Sequence, residues 1–266
     1  MKWTLNTYQV GQKWSLSTLI EMCVKTGYPY IEFLQDFGQP HGLEWDTPKR
    51  KYLEMKKKLD AAGLQFGSLT SCQTFHAPEA SARAESVKRV KRVIDRAKEV
   101  GCDHVRVLGD RLPANEAERV PVVDNIAACF EELGEYAGPD VAVSLEVHGS
   151  FTDPYYAMMV VQKVELPNVG LVFNGQWPVG KPWKYVLPVG TPSIRPFFEM
   201  IYPYLTSVHL HEMEKPEVLG YYQEFFALLV ENGYQGYVAN EAAYIGPDPE
   251  KVLRMYTAMF QTMISG

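Results

Sequence analysis

A carboxylate and an imidazole end an apolar stretch near the middle of the chain, residues 141–149 (VAVSLEVHG). Alternate side chains of a β-strand face opposite sides, so Ser144, Glu146 and His148 share one face and the valines share the other. An apolar outer face with polar groups at the C-terminal end is typical of the catalytic rim of a parallel α/β barrel. An edge strand with a salt-bridged glutamate fits this stretch alone equally well.

Three further strand ends carry groups that bind metals or transfer protons. Asn174 ends the stretch GLVFN, His209 lies in VHLHE, and Glu241 ends YVANE. Oxygen and nitrogen ligands from consecutive barrel strands suit one divalent ion such as Mn²⁺, Co²⁺, Mg²⁺ or Zn²⁺. Taken alone, His209 fits a hydrogen-bonded core histidine at least as well. Glu241 indicates a binding site more strongly than His209 does, because a carboxylate at the end of a buried strand needs a partner that offsets lost hydration.

A repeated unit of helix, glycine and strand positions these groups. Helical patterns end at Gly27, Gly63, Gly101 and Gly233, each followed by a short β-branched or aromatic stretch. A left-handed glycine commonly ends a helix, and strands alternating with helices imply a parallel sheet. We expect eight strands, near 5–8, 30–34, 66–70, 105–108, 141–147, 169–173, 207–211 and 237–241. Expected helix N-caps, each followed by proline, are Thr47, Asp153 and Asp248.

The number of strands and the absence of a phosphate loop favour a closed barrel over an open sheet. An open dinucleotide-binding sheet would carry GxGxxG after its first strand, and residues 8–13 (YQVGQK) contain none. A chain of 266 residues with 46% hydrophobic residues matches the usual size of one barrel. We therefore predict the α/β class, with residues 1–266 forming one (β/α)8 barrel domain.

Charge and hydropathy narrow the range of partners. A formal net charge of −6 disfavours nucleic acid, and the basic clusters at 56–58 and 88–92 fall on solvated helix faces. No apolar stretch is long enough to span a bilayer, and the chain enters a strand pattern at once, so we expect a cytoplasmic protein without membrane contacts. Four scattered cysteines without a CxxC pair predict buried, reduced thiols.

The strand-end motifs resemble those of the xylose isomerase-like barrels, which include sugar isomerases and epimerases, ketose 3-epimerases, inosose-type dehydratases and the endonuclease IV group. The resemblance covers essentially the whole chain. It rests on the order Glu, acid, His, Glu at strands five to eight, on Glu146-Val147-His148, and on residues 209–212 (HLHE), which are similar to the His-x-Lys-Asp of the family. It implies Glu146, Asn174, His209 and Glu241 as metal ligands, and a homodimer or homotetramer.

The chain departs from the family pattern at three positions. Asn174 stands where the family has an aspartate ligand, so two carboxylates should hold a metal less tightly than three. Trp177 replaces a histidine that touches substrate or a second metal in many relatives, which predicts at most one metal. Lys215 lies six residues after His209, where ketose epimerases tend to have an arginine on a substrate hydroxyl or enediolate oxygen.

Such a site would transfer protons next to a carbonyl. A cation chelated by a carbonyl and a hydroxyl acidifies the intervening C–H, and Glu146 and Glu241 would remove and return the proton. We therefore predict a metal-dependent isomerase or epimerase for a small keto-sugar or polyol derivative. The substrate contacts predicted are His76, His148, Trp177, His211 and Lys215, and for His76 an ordinary loop histidine fits equally well.

Other functions remain open from the sequence. Loss of hydroxide instead of return of the proton would give a dehydratase, and Asn174 is consistent with a barrel that binds a carbohydrate or metabolite without turnover. A DNA endonuclease of the endonuclease IV type needs more histidines and a basic groove, which the acidic charge and Trp177 oppose. The aromatic, proline-rich loop 175–192 is expected to be a lid, a dimer contact or packing over the barrel rim.

Overall fold

A closed barrel of eight parallel strands forms the centre of the protein. The computed structural model describes residues 1–242 and 246–265. The strands are β1 (Lys2–Asn6), β2 (Tyr30–Leu34), β3 (Gln65–Thr70), β4 (His104–Leu108), β5 (Ala142–Glu146), β6 (Val169–Phe173), β7 (Leu205–Leu210) and β8 (Tyr237–Asn240). They pair in chain order, and β1 also pairs with β8. The predicted (β/α)8 barrel is confirmed.

Eight helices cover the outside of the barrel. They are α1 (Leu16–Thr26), α2 (Lys49–Ala61), α3 (Ala80–Val100), α4 (Arg119–Ala137), α5 (Pro154–Val164), α6 (Arg195–Ile201), α7 (Pro216–Glu231) and α8 (Pro249–Ser265). Among the residues described, no helix has the length and apolar character needed to cross a membrane.

Strand alternation divides apolar from polar side chains, as strand β5 illustrates. Val143 and Leu145 are fully buried in the apolar layer between barrel and helices. Ser144 points inward, where its hydroxyl lies 2.7 Å from the Thr206 hydroxyl and 3.0 Å from His104 Nε2. The same alternation directs Glu146 into the barrel.

Several helix ends follow the sequence signals. Gly27 and Gly101 end α1 and α3 with φ of 81° and 71°, a backbone region that glycine enters without a Cβ clash. Asp153 caps α5, because its carboxylate accepts a hydrogen bond from Tyr155 N at 3.1 Å, with Pro154 at the first helical position. Asp248 accepts one from Lys251 N at 3.2 Å in the same way.

Two predicted boundaries are wrong. Pro48, with extended φ and ψ, is the N-cap of α2, whereas the Thr47 hydroxyl accepts from Glu44 N at 2.8 Å and closes the preceding turn. The first strand begins at Lys2, not near 5, because it pairs with β8 from that residue onward. It ends at Asn6, whose side chain accepts from Tyr8 N at 2.7 Å and turns the chain.

Candidate active site at the carboxyl end of the barrel

Strand alternation brings five charged or titratable side chains together inside the barrel. They are Glu32 on β2, Arg106 on β4, Glu146 on β5, His209 on β7 and Glu241 directly after β8, and each is at most 4% exposed. The register places Leu108 beside Glu146, and Leu210 beside Asn240, so the ends of neighbouring strands lie level. Residues distant in sequence therefore form one cluster at the rim.

His209 occupies the centre of this cluster. Its Nδ1 lies 2.8 Å from Glu241 Oε2 and 3.6 Å from Glu146 Oε1, and its Nε2 lies 3.0 Å from Glu32 Oε1. These contacts are ion-pair approaches, because neither ring nitrogen directs an N–H along a hydrogen bond to its neighbour. The imidazole thus lies between two carboxylates on one side and one on the other.

Glu32 on β2 is a further member of the cluster. It is fully buried, and its Oε1 accepts a hydrogen bond from Asn6 Nδ2 at 2.6 Å. Its negative charge next to His209 Nε2 favours a proton on that nitrogen. A cation at Nδ1 would then meet the ring lone pair, which is the arrangement that a metal-binding histidine needs.

Arg106 was missed by sequence reasoning. Its Nε lies 2.7 Å from Glu146 Oε2, and its Nη1 donates to the Ser71 carbonyl at 3.3 Å. The signal was present in the stretch HVRVL, because alternation puts His104, Arg106 and Leu108 on the inward face of β4. A guanidinium in a barrel interior requires an acid beside it, and Glu146 on the next strand is that acid.

Asn174 and His211 extend the cluster toward solvent. His211 Nε2 lies 3.2 Å from Glu241 Oε2 and is hydrogen-bonded to Asn174 Oδ1. The four residues predicted as metal ligands are therefore connected, with Asn174 joined to the other three through His211 and Glu241. Two residues, His211 and Glu241, thus lie between the carboxamide of Asn174 and His209 in this chain of contacts.

The charges fix the protonation of the central groups. Burial opposes ionisation of Glu146 and Glu241, yet Arg106 and His209 hold the pKa of Glu146 below its ordinary value. His209 and His211 likewise hold the pKa of Glu241 below its ordinary value. Burial disfavours a charged His209, but Glu32, Glu241 and Glu146 raise its pKa well above the ordinary value. Both rim glutamates are therefore carboxylates that can accept a proton.

The donor set fits a divalent metal ion. Ligand atoms of Glu146, His209 and Glu241 all lie within 4.8 Å of one another. Glu241 Oε2 and His209 Nδ1 approach each other but are buried without an aligned hydrogen bond, so a cation would complete the polar contacts of both atoms. With His209 neutral, the Arg106 guanidinium offsets one of the carboxylates of Glu32, Glu146 and Glu241, and a divalent ion neutralises the other two.

The cluster opens into a cavity of about 490 Å³, which is large enough for a small sugar. Its charged lining residues are Arg106, Glu146 and Glu241. The remaining residues that line it are Tyr8, Gln9, Leu34, Phe37, Cys72, Leu108, His148, Asn174, Gln176 and His211. His148 and His211 thus border the space that a substrate would occupy, and their substrate contacts stay predictions.

The other three predicted substrate contacts lie outside the cavity lining. Trp177 is 5% exposed and packs against Phe173 and Tyr222, each with ring centroids 5.0 Å away. Lys215 is on the surface, with Nζ 2.6 Å from Glu212 Oε1. His76 is half-buried in the loop after β3, and its Nδ1 has no hydrogen-bond partner among the described residues.

Loop 175–192 is held by the side chain of Asp153, the N-cap of α5. Asp153 Oδ2 accepts a hydrogen bond from Lys184 N at 2.7 Å, and its Oδ1 accepts one from Tyr185 N at 3.2 Å. Residue Gln176 at the start of the loop borders the cavity, whereas Val189 near its end is 84% exposed. The loop therefore contacts both the site and solvent.

Fold and site together define an α/β barrel with two carboxylates and a histidine converging at the carboxyl ends of its strands. The sequence model of the family described as xylose isomerase-like TIM barrel matches residues 20–259. The chain belongs to this family, as the strand-end motifs suggested. No curated protein sequence matches the chain.

Solved structures with the same fold are distant in sequence. The D-psicose 3-epimerase of Clostridium cellulolyticum H10, a structure with D-tagatose, superposes with a TM-score of 0.77 at 14% identity, covering 99% of each chain. The IolI protein with a zinc atom superposes with a TM-score of 0.77 at 17% identity, covering 100% of this chain and 98% of that one. The probable 3-DHS dehydratase AsbF of Bacillus anthracis superposes with a TM-score of 0.69 at 12% sequence identity, covering 98% of this chain and 99% of that one. At these identities the likeness establishes the fold.

Proposed function

We propose that the protein is a divalent-metal-dependent isomerase or epimerase of a small keto-sugar or polyol derivative. The observation that carries the proposal is the pair of ionised carboxylates, Glu146 and Glu241, which both face His209 Nδ1 in the wall of a sugar-sized cavity. Two bases facing one carbon can move a proton from one position to another. The sugar epimerases and zinc-containing IolI structure that share the fold support the same class of reaction.

Glu146, His209 and Glu241 would hold the metal, with Asn174 close by. When bound, a divalent ion polarises a substrate carbonyl and its neighbouring hydroxyl. Glu32 keeps a proton on His209 Nε2 so that Nδ1 faces the site. Arg106 fixes one oxygen of Glu146, leaving Oε1 directed at the centre.

The two glutamates would share the proton transfer. One carboxylate removes the proton from the carbon next to the carbonyl, leaving an enediolate. The partner carboxylate takes a proton from solvent water and gives it to the substrate, and the first glutamic acid releases its proton to water. Return to the other face of the same carbon inverts that centre, and return to the neighbouring carbon converts ketose to aldose.

Proton exchange tests this proposal directly. Protein supplied with Mn²⁺ or Co²⁺ is incubated in D₂O with a panel of ketoses, and deuterium at the carbon beside the carbonyl is followed by NMR. Glu146→Gln and Glu241→Gln should each abolish exchange, because an amide cannot accept the proton, and a chelator should abolish it in the unaltered protein. Circular dichroism checks that the variants fold, and Glu99→Gln on the surface is the matched control. Exchange that persists in either site variant would refute the assignment.

A barrel that binds a carbohydrate or metabolite without turnover is the second candidate. It is favoured by the Arg106 contact to Glu146, because a carboxylate paired with a guanidinium is a weaker base. It predicts ligand binding without deuterium incorporation for any ketose. A dehydratase, as in the AsbF structure of the same fold, would instead release water from the substrate.

A further inference from the structure

Arg106 is the one cation in the cavity wall among the lining residues that the structure describes, and the proton transfer outlined above does not use it directly. Its side chain is 4% exposed and reaches the cavity from β4, at the side opposite β8 in the barrel order. A buried guanidinium keeps its charge at every physiological pH. Its position therefore places a permanent positive charge beside any bound substrate.

The contacts of Arg106 leave much of its hydrogen-bonding capacity unused. Nε approaches Glu146 Oε2 at 2.7 Å and Nη1 donates to the Ser71 carbonyl at 3.3 Å. Within the described part of the chain, Nη1 thus makes the one aligned hydrogen bond, and the Nε contact is an ion pair, so at most two of the five N–H donors of the guanidinium are engaged. Because the group borders the cavity, its other donors can meet a ligand there.

The reaction creates a charge that such a donor would stabilise. Removal of a proton beside a carbonyl puts negative charge on the substrate oxygens, and a preorganised cation in a buried site stabilises that charge strongly. Lys215, the residue expected from the sequence to serve this purpose, is instead paired with Glu212 on the surface. The cation that the cavity offers is on strand four, not after strand seven.

We propose that Arg106 is a catalytic residue that donates hydrogen bonds to the enediolate oxygens of the substrate. The inference rests on the proposed function, since it takes the enediolate as the species bound. It predicts selectivity for ligands with an anionic oxygen pair over neutral polyols of the same size. The planar guanidinium suits two adjacent oxygens better than an ammonium does.

The experiment measures binding, so that it does not depend on turnover. Calorimetry follows three titrants: Mn²⁺ alone, then the hydroxamate of a four-carbon sugar acid, which mimics an enediolate, and then xylitol as the neutral polyol. The hydroxamate is titrated into both metal-free and Mn²⁺-saturated protein. The variants are Arg106→Gln and Arg106→Lys, with Arg195→Gln as the control, because Arg195 pairs with Glu231 on the surface.

The substitution Arg106→Gln is expected to weaken binding of the hydroxamate without weakening binding of Mn²⁺. Arg106→Gln should weaken hydroxamate binding by about 10- to 100-fold. The xylitol affinity of this variant should stay within about threefold of that of the unaltered protein. Its Mn²⁺ affinity should be unchanged or higher, because Glu146 no longer pairs with a competing cation. Arg106→Lys keeps the charge but loses the planar guanidinium, so its hydroxamate affinity should lie between those of the unaltered protein and Arg106→Gln. This variant also serves as the test if Arg106→Gln does not fold. A purely structural role would weaken all three ligands together.

Three results would overturn the proposal. They are hydroxamate affinity in Arg106→Gln within threefold of the unaltered protein, parallel loss of all three ligands in Arg106→Lys, and no hydroxamate binding by the unaltered protein in either form. Lys215→Gln tests the alternative cation: a larger loss of hydroxamate binding there than in Arg106→Gln also counts against Arg106. Absence of ketose exchange with Arg106-dependent hydroxamate binding intact would refute the proposed reaction alone.

Discussion

Replacing Glu32 by glutamine removes one buried negative charge behind the histidine that faces the proposed metal site. Glu32 Oε1 contacts His209 Nε2 at 3.0 Å, and an ion on Nδ1 would lie about 7 Å away, given a metal–nitrogen bond of about 2.1 Å. The substitution changes no atom that would touch the metal. It therefore acts on metal binding through the charge of the carboxylate and the orientation of His209 only.

Two opposing effects set the size of the change. At an effective dielectric constant of about 20, Glu32 attracts a divalent ion at this distance by about 4.7 kcal/mol. It also attracts the proton that the ion displaces from His209 Nδ1, about 5 Å away, by about 3.3 kcal/mol. The difference of about 1.4 kcal/mol predicts Mn²⁺ binding about tenfold weaker in Glu32→Gln. Loss of the orientation of the ring acts in the same direction and extends the range to about 100-fold.

Calorimetric titration of Mn²⁺ at pH 7.5 measures this change, and electron paramagnetic resonance of free Mn²⁺ checks it independently. Glu99→Gln is the matched control, because it makes the same chemical change beside Arg96 on the surface. Glu32→Asp retains the charge and should recover part of the affinity. A folded Glu32→Gln protein that binds Mn²⁺ within twofold of the unaltered chain would refute the electrostatic reasoning.

Two substitutions test the departures from the family pattern. Asn174→Asp places a third carboxylate beside Glu241 and His211, and should raise Mn²⁺ affinity on the order of tenfold, measured by the same titration. Unchanged or weaker binding would mean that residue 174 cannot reach the ion. Trp177→Ala empties a buried aromatic site and should lower the free energy of unfolding by about 3–5 kcal/mol in urea. A loss below about 1 kcal/mol, accompanied by weaker ligand binding, would favour direct contact with substrate over packing.

The barrel could be predicted from the sequence because its signals are local. Glycines such as Gly27 and Gly101 end helices through their own backbone freedom, and Asp153 caps a helix two residues away. The strands near 30–34 and 169–173 lie where their apolar residues predicted. The predicted boundaries were wrong where strand pairing or a turn determines them, as at the start of β1 at Lys2 and at Thr47 before α2. Propensity and patterning act over a few residues, which is the range that a sequence displays directly.

The site was only partly accessible by the same reasoning. Glu146, His209 and Glu241 were recognisable because polar groups at consecutive strand ends must converge in a closed barrel. Whether Trp177 enters the cavity or packs beneath it depends on side-chain direction and on neighbours contributed by other elements, including Tyr222 on α7. Such neighbours are far apart in the chain, so their contact leaves no local pattern.

By itself, the sequence determined an eight-stranded barrel and the three donors that its rim brings together. The tertiary structure alone decided the electrostatic surroundings of those donors: Glu32 behind His209, and Arg106 against Glu146. The physical reason is that strand order and side-chain alternation fix which residues share the rim, whereas the partner of a buried charge is fixed by distances across the barrel that only the closed sheet sets.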